Sequence, residues 1–230
     1  FRGAMALAVG IFIGTSLVGC DTKVSAVSSA VKQGLMGFEA VAVNRFDSVT
    51  VPKGYTAKPF LPWGTPLLDG AAPYKADGTN TAADQEKQIG SHHDGMHFFP
   101  IDLKDGGTDS GEGLLVMNHE YCDPMILHAF GGAGLPRQAE EVHKELAAHG
   151  VSVAHIKRDD SAQWQLVSGS QYNRRITGMT PMQLTGPVRG HTKVRTQYSP
   201  DGTATRGTLN NCSHGVTPWG TYLTCEENWA

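Results

Sequence analysis

The chain has 230 residues, room for one large domain or two small ones, and its 40% apolar and 18% charged residues suit a protein that buries a core. The net charge is −3 and no basic run is present, which excludes a nonspecific nucleic-acid binder, because that needs clustered Lys and Arg to neutralise phosphates. The 28 Gly and 12 Pro favour many short strands joined by turns over long helices.

The sequence starts at Phe1 rather than Met and stops at Glu227-Asn228-Trp229-Ala230 without a tail, so we expect a piece of a longer chain. Arg2 precedes an apolar run from Ala4 to Val18. Such a run of about 15 residues is short for a bilayer span but matches the core of a signal peptide. It ends Leu17-Val18-Gly19-Cys20, which looks like a bacterial lipobox, so the thiol of Cys20 is expected to carry lipid and to become the mature N-terminus. An ordinary signal peptide with a chance Cys is the alternative. Asp21 resembles an inner-membrane retention signal, and the route of export, general or twin-arginine, stays open. The expected organisation is a signal peptide over 1–19, a lipidated tether over 20–37 that is small and polar from Thr22 to Gly37, and a folded domain over 38–230. The protein is then exported, periplasmic or cell-surface, with a lipid anchor as its membrane contact.

In the domain, strands are predicted at Ser48–Val51, Tyr55–Leu61, His97–Leu103, Leu114–Asn118, Val151–Lys157, Trp164–Val167, Thr208–Asn211 and Thr221–Cys225, each with β-branched, aromatic or alternating apolar residues. Ala71–Gln88 is polar and poorly patterned and is predicted to be a long loop. One helix is predicted over Ala139–Ala148, with Pro136 at its start, Gly150 closing it and Val142 and Leu146 as its packed stripe. The fold class is therefore mainly β, a propeller or a sandwich. A propeller lacking blades has unpaired edges, so this stretch is expected to aggregate when alone.

Three constellations carry chemistry. In Gly113–Tyr121 an apolar strand runs into Asn118, His119 and Glu120; Glu120 offers hard oxygen ligands for Ca²⁺ and Asn118 a carbonyl. In Thr208–Asn228, Asn210, Asn211, Cys212, Ser213 and His214 crowd the end of one strand, and Glu226, Glu227 and Asn228 the end of the next, so a reversal through Gly215–Gly220 brings both groups to one pocket. There a thiolate suits a transition metal and paired carboxylates suit Ca²⁺ or Fe³⁺. Ser213 and His214 are adjacent and no Gly-x-Ser-x-Gly elbow exists, which argues against a serine hydrolase. Asn118, Asn211 and His214 are expected at the substrate. In His92-His93-Asp94-Gly95-Met96-His97, adjacent side chains on a strand point to opposite faces, so at most one member is expected to be functional, Asp94. The acidic Asp102–Glu112 stretch reads as a solvated turn, and Arg174, Arg175 and Arg189 are candidate phosphate clamps. With Cys20 lipidated, Cys122, Cys212 and Cys225 remain; Cys212 is either half of a disulfide with Cys225 or a metal-ligating thiolate, and spacing leaves both open.

Taken together, Ser48–Tyr55, Pro62–Pro66, Gly113–Tyr121, Ala147–Val153, Tyr172–Thr177 and Gly207–Asn228 resemble the PhoX family of secreted alkaline phosphatases. These stretches cover most of the chain after Gly37, and the last is the most specific. The resemblance implies part of a decorated β-propeller that hydrolyses small phosphomonoesters with an iron and calcium cluster. It also implies that Cys212 is an iron ligand, with glutamate ligands at Glu120 and at Glu226 or Glu227. Further ligands are then expected from sequence beyond Ala230, and this chain alone is expected to be inactive. The competing expectations are a noncatalytic propeller lipoprotein that serves as a binding module, and a calcium-dependent lactonase-type propeller.

Overall fold

The computed structural model describes residues 37–132 and 134–227, so Cys20, the apolar run before it and Asn228 lie outside the described residues. The chain divides into two compact units, 1–58 and 59–230. In the first unit, residues 37–58 form neither helix nor strand. An edge-on pair of Phe38 and Tyr55 rings, 5.6 Å between centroids, and an Asn44 side chain bonded to the Phe46 amide and the Thr50 hydroxyl hold a turn together. The strand expected over Ser48–Val51 is absent. Val49 is 78% exposed, and β-propensity without a pairing partner does not order a strand.

The second unit is built on a five-stranded antiparallel sheet. Strands β1 (His93–Pro100), β2 (Glu112–His119) and β3 (Gly150–Arg158) pair in sequence order. The free side of β3 takes two short strands, β5 (Arg174–Ile176) along Val151–Val153 and β4 (Trp164–Leu166) along Ile156–Arg158. A ribbon of β6 (Pro181–Gln183) with β7 (Ala204–Arg206) and a hairpin of β8 (Asn211–Val216) with β9 (Tyr222–Glu226) follow. The fold is mainly β, as its composition predicts. The strand expected at Tyr55–Leu61 is absent, and the one expected at Thr208–Asn211 begins only at Asn211.

β2 reads as an unbroken run, Leu114-Leu115-Val116-Met117, because both faces of the sheet are covered. On one face Leu115 and Met117 pack with Phe98, Ala154, Ile156, Ile89 and Leu61. On the other, Leu114 and Val116 pack with Phe99, Val151, Val153, Ile176 and Tyr222. Two short helices, α1 (Ala82–Gln85) within the predicted long loop and α2 (Pro124–Leu127), precede the main helix α3 (Ala139–Ala148). The bounds of α3 are those predicted, but it starts from Gln138 rather than Pro136, and its buried face is Lys144, Ala147 and Ala148; Val142 is 38% exposed. The small alanines let the helix approach closely, and the Lys144 ammonium reaches through to donate to Gly78 O at 2.7 Å and to Leu127 O.

The end of α3 explains the next residues. Gly150 has φ +101°, and a Cβ there would lie 2.0 Å from the Ile176 carbonyl, so only glycine turns the chain from helix into β3. Arg175 donates to the carbonyls of Ala147, His149, Val151 and Ile176, capping the helix and clamping β3 to β5. Burial of this guanidinium lowers its pKa to about 9. Arg175 is therefore committed to the framework and is not a phosphate clamp. Arg174 instead lines a groove over the second face of the sheet, and Arg189 is exposed at a 3₁₀ turn.

Burial, with the nearby charges of His92 and Arg175, lowers the pKa of His149 to about 4, while its Nδ1 bonds Glu145 O at 2.7 Å. Above pH 6.5 both folded and unfolded chains hold this ring neutral, and it contributes nothing to pH dependence. Between pH 6.5 and 4 the unfolded chain takes up a proton that the folded chain refuses, so stability falls as pH falls, by up to about 3 kcal/mol from this group. His119 acts in the same direction, its pKa being held low chiefly by burial. His149→Asn keeps a donor for Glu145 O and removes the titration. In urea unfolding across this pH range, the variant is expected to lose about 3 kcal/mol less than the parent; parallel losses would refute this account.

Candidate metal centre

Two β-bulges face each other across one buried asparagine. On β1 the register runs His93↔His119 and then Met96↔Met117, so Asp94 and Gly95 together oppose Asn118. On β8 it runs Asn211↔Glu226 and then His214↔Thr224, so Cys212 and Ser213 together oppose Cys225. A bulge bends its strand and re-aims the extra side chain. Here the bulged residues include Asp94 and Cys212.

Asn118 is 0% exposed and its amide is saturated. Nδ2 donates to Cys212 O at 3.0 Å and Ser213 O at 3.1 Å, the two carbonyls of the second bulge. Oδ1 accepts from the Thr224 hydroxyl at 3.0 Å and lies 2.9 Å from the Tyr222 hydroxyl, which shares its one proton with Gly95 O at 3.0 Å. With both donors and both lone pairs used, Asn118 is a positioning residue and not the substrate contact expected from the sequence. Gly95 makes the approach possible: a Cβ there would lie 2.7 Å from Cys212 O and 2.9 Å from His214 Nδ1.

Glu120 leaves the end of β2 with its main chain held on both sides. Its N–H donates to His92 O at 3.0 Å, and its carbonyl accepts from Asn210 Nδ2 at 3.2 Å. The Glu227 N–H in turn donates to Asn210 O at 3.0 Å. His92 and Asn210 both sit in the left-handed region, with φ +47° and +48°. For residues with a Cβ this costs about 1–2 kcal/mol each, and it is retained where surrounding contacts demand it. These two strained residues tie the start of β1, the end of β2, the start of β8 and the end of β9 into one rim.

The side chains on that rim are acidic. The pKa of Glu120 is raised, first by partial burial, then by a hydrogen bond with Asp94 and by the charges of Asp94 and Glu227, with His92 opposing. The Ser213 amide is the largest single influence on Cys212 and favours its thiolate, but burial and the neighbouring Glu227 together outweigh it and hold the thiol above its ordinary value. Asp94, Glu120, Glu227 and Cys212 thus form a row of pairwise neighbours. Burial and the Asp94 charge raise Tyr222 to about 12, so its hydroxyl keeps the proton that the bracket uses.

Of the residues expected at the site, Glu120, Glu227 and Cys212 come together, and Asp94 joins them. Glu226 does not: its carboxylate accepts from the Thr208 hydroxyl at 2.6 Å and the Leu209 amide at 2.9 Å. Consecutive residues leave a strand on opposite sides, and only Glu227 turns toward the row. Asn211 is 0% exposed, with Nδ2 bonded to Thr224 and Oδ1 without a partner, so it supports the bracket from beneath. His214 stacks on Tyr222, 5.5 Å between centroids and 9° between planes, and stays partly accessible. Cys122, Cys212 and Cys225 are free. Among the described residues no three His, Cys, Asp or Glu side chains converge closely enough to hold a metal as they stand. The chemistry of the donor set nonetheless fits cations. Crowded acids raise one another's pKa, and a bound cation is what relieves that repulsion.

The family model of alkaline phosphatase PhoX matches residues 36–230. A solved structure of Pseudomonas fluorescens PhoX in complex with vanadate, a transition state analogue, is 40% identical, with a TM-score of 0.76 over 84% of this chain and 32% of that one. The chain thus spans about a third of that relative's length. No curated protein matches the chain.

Asn118→Ala removes the bracket and leaves two part-buried hydroxyls and two carbonyls each short of one partner. We expect a loss of about 3 kcal/mol or more in urea unfolding. Amide exchange should quicken across Asn211–Glu226 and remain slow in the middle of β3. Equal quickening in both would mean that the bracket does not act locally.

Proposed function

The chain belongs to the PhoX alkaline phosphatase family, and on that premise we propose that it contributes the thiolate and carboxylate side of a metal centre that hydrolyses small phosphomonoesters outside the cytoplasm. The observation that carries this reading is the row Asp94–Glu120–Glu227–Cys212, aimed by two opposed bulges, in a chain 40% identical to a PhoX whose structure holds a transition state analogue.

The two ends of the row differ in chemistry. Cys212, with Glu227 beside it, offers the soft thiolate that suits iron, and Asp94 with Glu120 offers hard oxygens that suit calcium. When bound, such ions supply positive charge to the phosphoryl oxygens and favour ionisation of an oxygen nucleophile. The protein's own groups supply position. Asn118 fixes the two bulge carbonyls, the His92 carbonyl and the Asn210 amide fix the Glu120 backbone, and Tyr222 holds its proton under Asn118. Glu120 and Cys212 both hold protons more tightly than usual, so they are poised to release them when a cation arrives. Rising pH therefore favours loading, which is consistent with work at alkaline pH.

Residues 1–19 are then a signal peptide and Cys20 a lipidated N-terminus that tethers the domain to a bacterial membrane. A single acyl chain anchors only marginally, so stable attachment requires the diacylated cysteine of a lipoprotein. Among the described residues no helix is long and apolar enough to cross a membrane.

Carried in a full-length family member loaded with iron and calcium, the Cys212→Ala substitution is expected to lower iron content by metal analysis and to lose at least tenfold in turnover of a phosphomonoester, and Glu120→Gln to lower calcium content. A native Cys212–Cys225 disulfide in mass spectrometry, or full iron in Cys212→Ala, would remove Cys212 from the centre.

With a complete signal peptide supplied, the protein is expected to fractionate with membranes and Cys20→Ser to block lipid attachment. Unmodified protein cut elsewhere and recovered from the soluble periplasm would refute the anchor.

A further inference from the structure

The cations of this chain are unevenly placed. Between Asp160 and Glu226 the single acid is Asp201, against six Lys and Arg, although the whole chain carries a net charge of −3. Two of the six, Arg174 and Arg175, belong to β5. The other four, Arg189, Lys193, Arg195 and Arg206, stand on the excursion from β6 to β7 or at its foot, and all four are exposed. None of them forms an ion pair with a described residue. Asp201 does not neutralise them, because its carboxylate is engaged locally. It accepts from the Ser199 hydroxyl at 2.8 Å, the Thr203 hydroxyl at 2.8 Å and the Thr203 amide at 3.2 Å.

The excursion is a compact projection and not a loose loop. The Leu184 amide donates to Thr203 O at 2.9 Å and closes its base, and the Gly190 amide donates to Gly202 O at 2.7 Å and ties its middle. Short 3₁₀ turns at Gly186–Val188 and Thr192–Val194 fold the length between. Gly202 is buried with φ +69°, and a Cβ there would stand 3.2 Å from Arg195 Cγ, Val194 Cγ2 and His191 O, so the loop closes over a glycine. The buried Ser199 hydroxyl accepts from the Thr203 and Ala204 amides, each at 3.0 Å. Cations fixed in this way lose less freedom on binding than cations on a flexible tail. Apolar surface lies among them. Val188 is 52% exposed and Tyr198 44%, and the Arg206 guanidinium lies over the Tyr198 ring at 4.3 Å.

We propose that this projection docks on a membrane surface rich in anionic phospholipids, its cations meeting the headgroup phosphates and Val188 and Tyr198 entering the boundary beneath them. Cations interleaved with an aliphatic and an aromatic side chain suit a surface that is charged outside and apolar just below. The stems of Arg and Lys lie along the apolar side while their heads stay with the phosphates. A nucleic acid offers the charge without the apolar layer, and the rest of this chain, which is net acidic, opposes its approach. Each cation near an anionic surface raises partitioning about fivefold, so this is a reversible, salt-sensitive contact and not an anchor. It adds a second contact to the lipid proposed on Cys20, which holds the domain in one orientation, and it depends on neither that lipid nor the metal centre.

The test uses a full-length family member carrying this sequence with Cys20→Ser, so that no attached lipid contributes, and reads cosedimentation with sucrose-loaded vesicles rather than turnover. The vesicles are phosphatidylcholine alone, or phosphatidylcholine with about one-third phosphatidylglycerol. The parent is expected to bind the anionic vesicles at least tenfold more tightly than the neutral ones, and to release them as salt rises to about 0.5 M. Arg189→Glu combined with Lys193→Glu is expected to weaken that binding at least tenfold, while Arg189→Lys combined with Lys193→Arg, which keeps the charge, holds it within about twofold. The single change Arg189→Gln is expected to weaken it about fivefold, so a graded response is read even where the double reversal unfolds the protein. No binding by the parent, equal binding to both vesicles, or binding indifferent to the charge changes overturns the proposal. Salt-sensitive binding to double-stranded DNA by a protein that ignores the anionic vesicles overturns it as well.

Discussion

Everything at the rim depends on one amide. Asn118 is the point where β2 is tied to the distant β8–β9 hairpin, and it achieves this by matching the four hydrogen-bonding positions of a carboxamide to four partners. No other side chain of that size offers two donors and two acceptors at once. Aspartate loses the donors and leucine loses everything. The bulge carbonyls it binds belong to Cys212 and Ser213, so the direction in which Cys212 leaves β8 is determined from β2, 94 residues earlier in the chain. Gly95 and Tyr222 complete the arrangement, the first by having no Cβ, the second by lending a hydroxyl proton.

The acids and the bases of this unit are separated by depth. Inside, Lys144 and Arg175 donate to backbone carbonyls, and His119 and His149 are kept uncharged by burial. None of these cations is aimed at the acidic row. Asp94 and Glu227 are exposed and Glu120 is half-buried, with only His92 to oppose their charge on Glu120. A fold that wanted neutrality there had basic residues available and used them to cap α3 and clamp β5. Like charges left together at the rim, on a framework stiff enough to prevent their relaxing apart, constitute a standing attraction for cations.

Much of this was legible in the sequence, and the limits have physical causes. The run Leu114–Met117 and the helix Ala139–Ala148 were readable because periodicity and caps are local properties. So was the convergence of Glu120 with the Asn-Asn-Cys stretch, since polar residues clustered at a strand end have few other uses. The choice between Glu226 and Glu227 was not readable. Side chains alternate along a strand, and an inserted bulge residue changes register without any sign in composition. Asn118 and Asn211 looked like ligand contacts for the same reason: an asparagine that binds substrate and one that binds backbone are the same letter. The failed strand at Ser48–Val51 marks another limit, because propensity says nothing about whether a partner strand exists.

The strain and the charge have a common consequence. His92 and Asn210 each hold an unfavourable backbone conformation, and the carbonyl and amide they present fix Glu120. The same contacts stop Glu120 from retreating from Asp94 and Glu227, so both the backbone strain and the electrostatic repulsion fall on one short rim. Nothing about the sheet requires this. Its two apolar faces would pack as well with a relaxed turn at His92 and no bulge at Asp94. Backbone strain and like charge coincide where the acids meet, although Leu61, Phe130 and Ala162 hold positive φ elsewhere. A cation bound between those acids would return the electrostatic part of that loss, and its uptake would then be coupled to folding stability through Glu120.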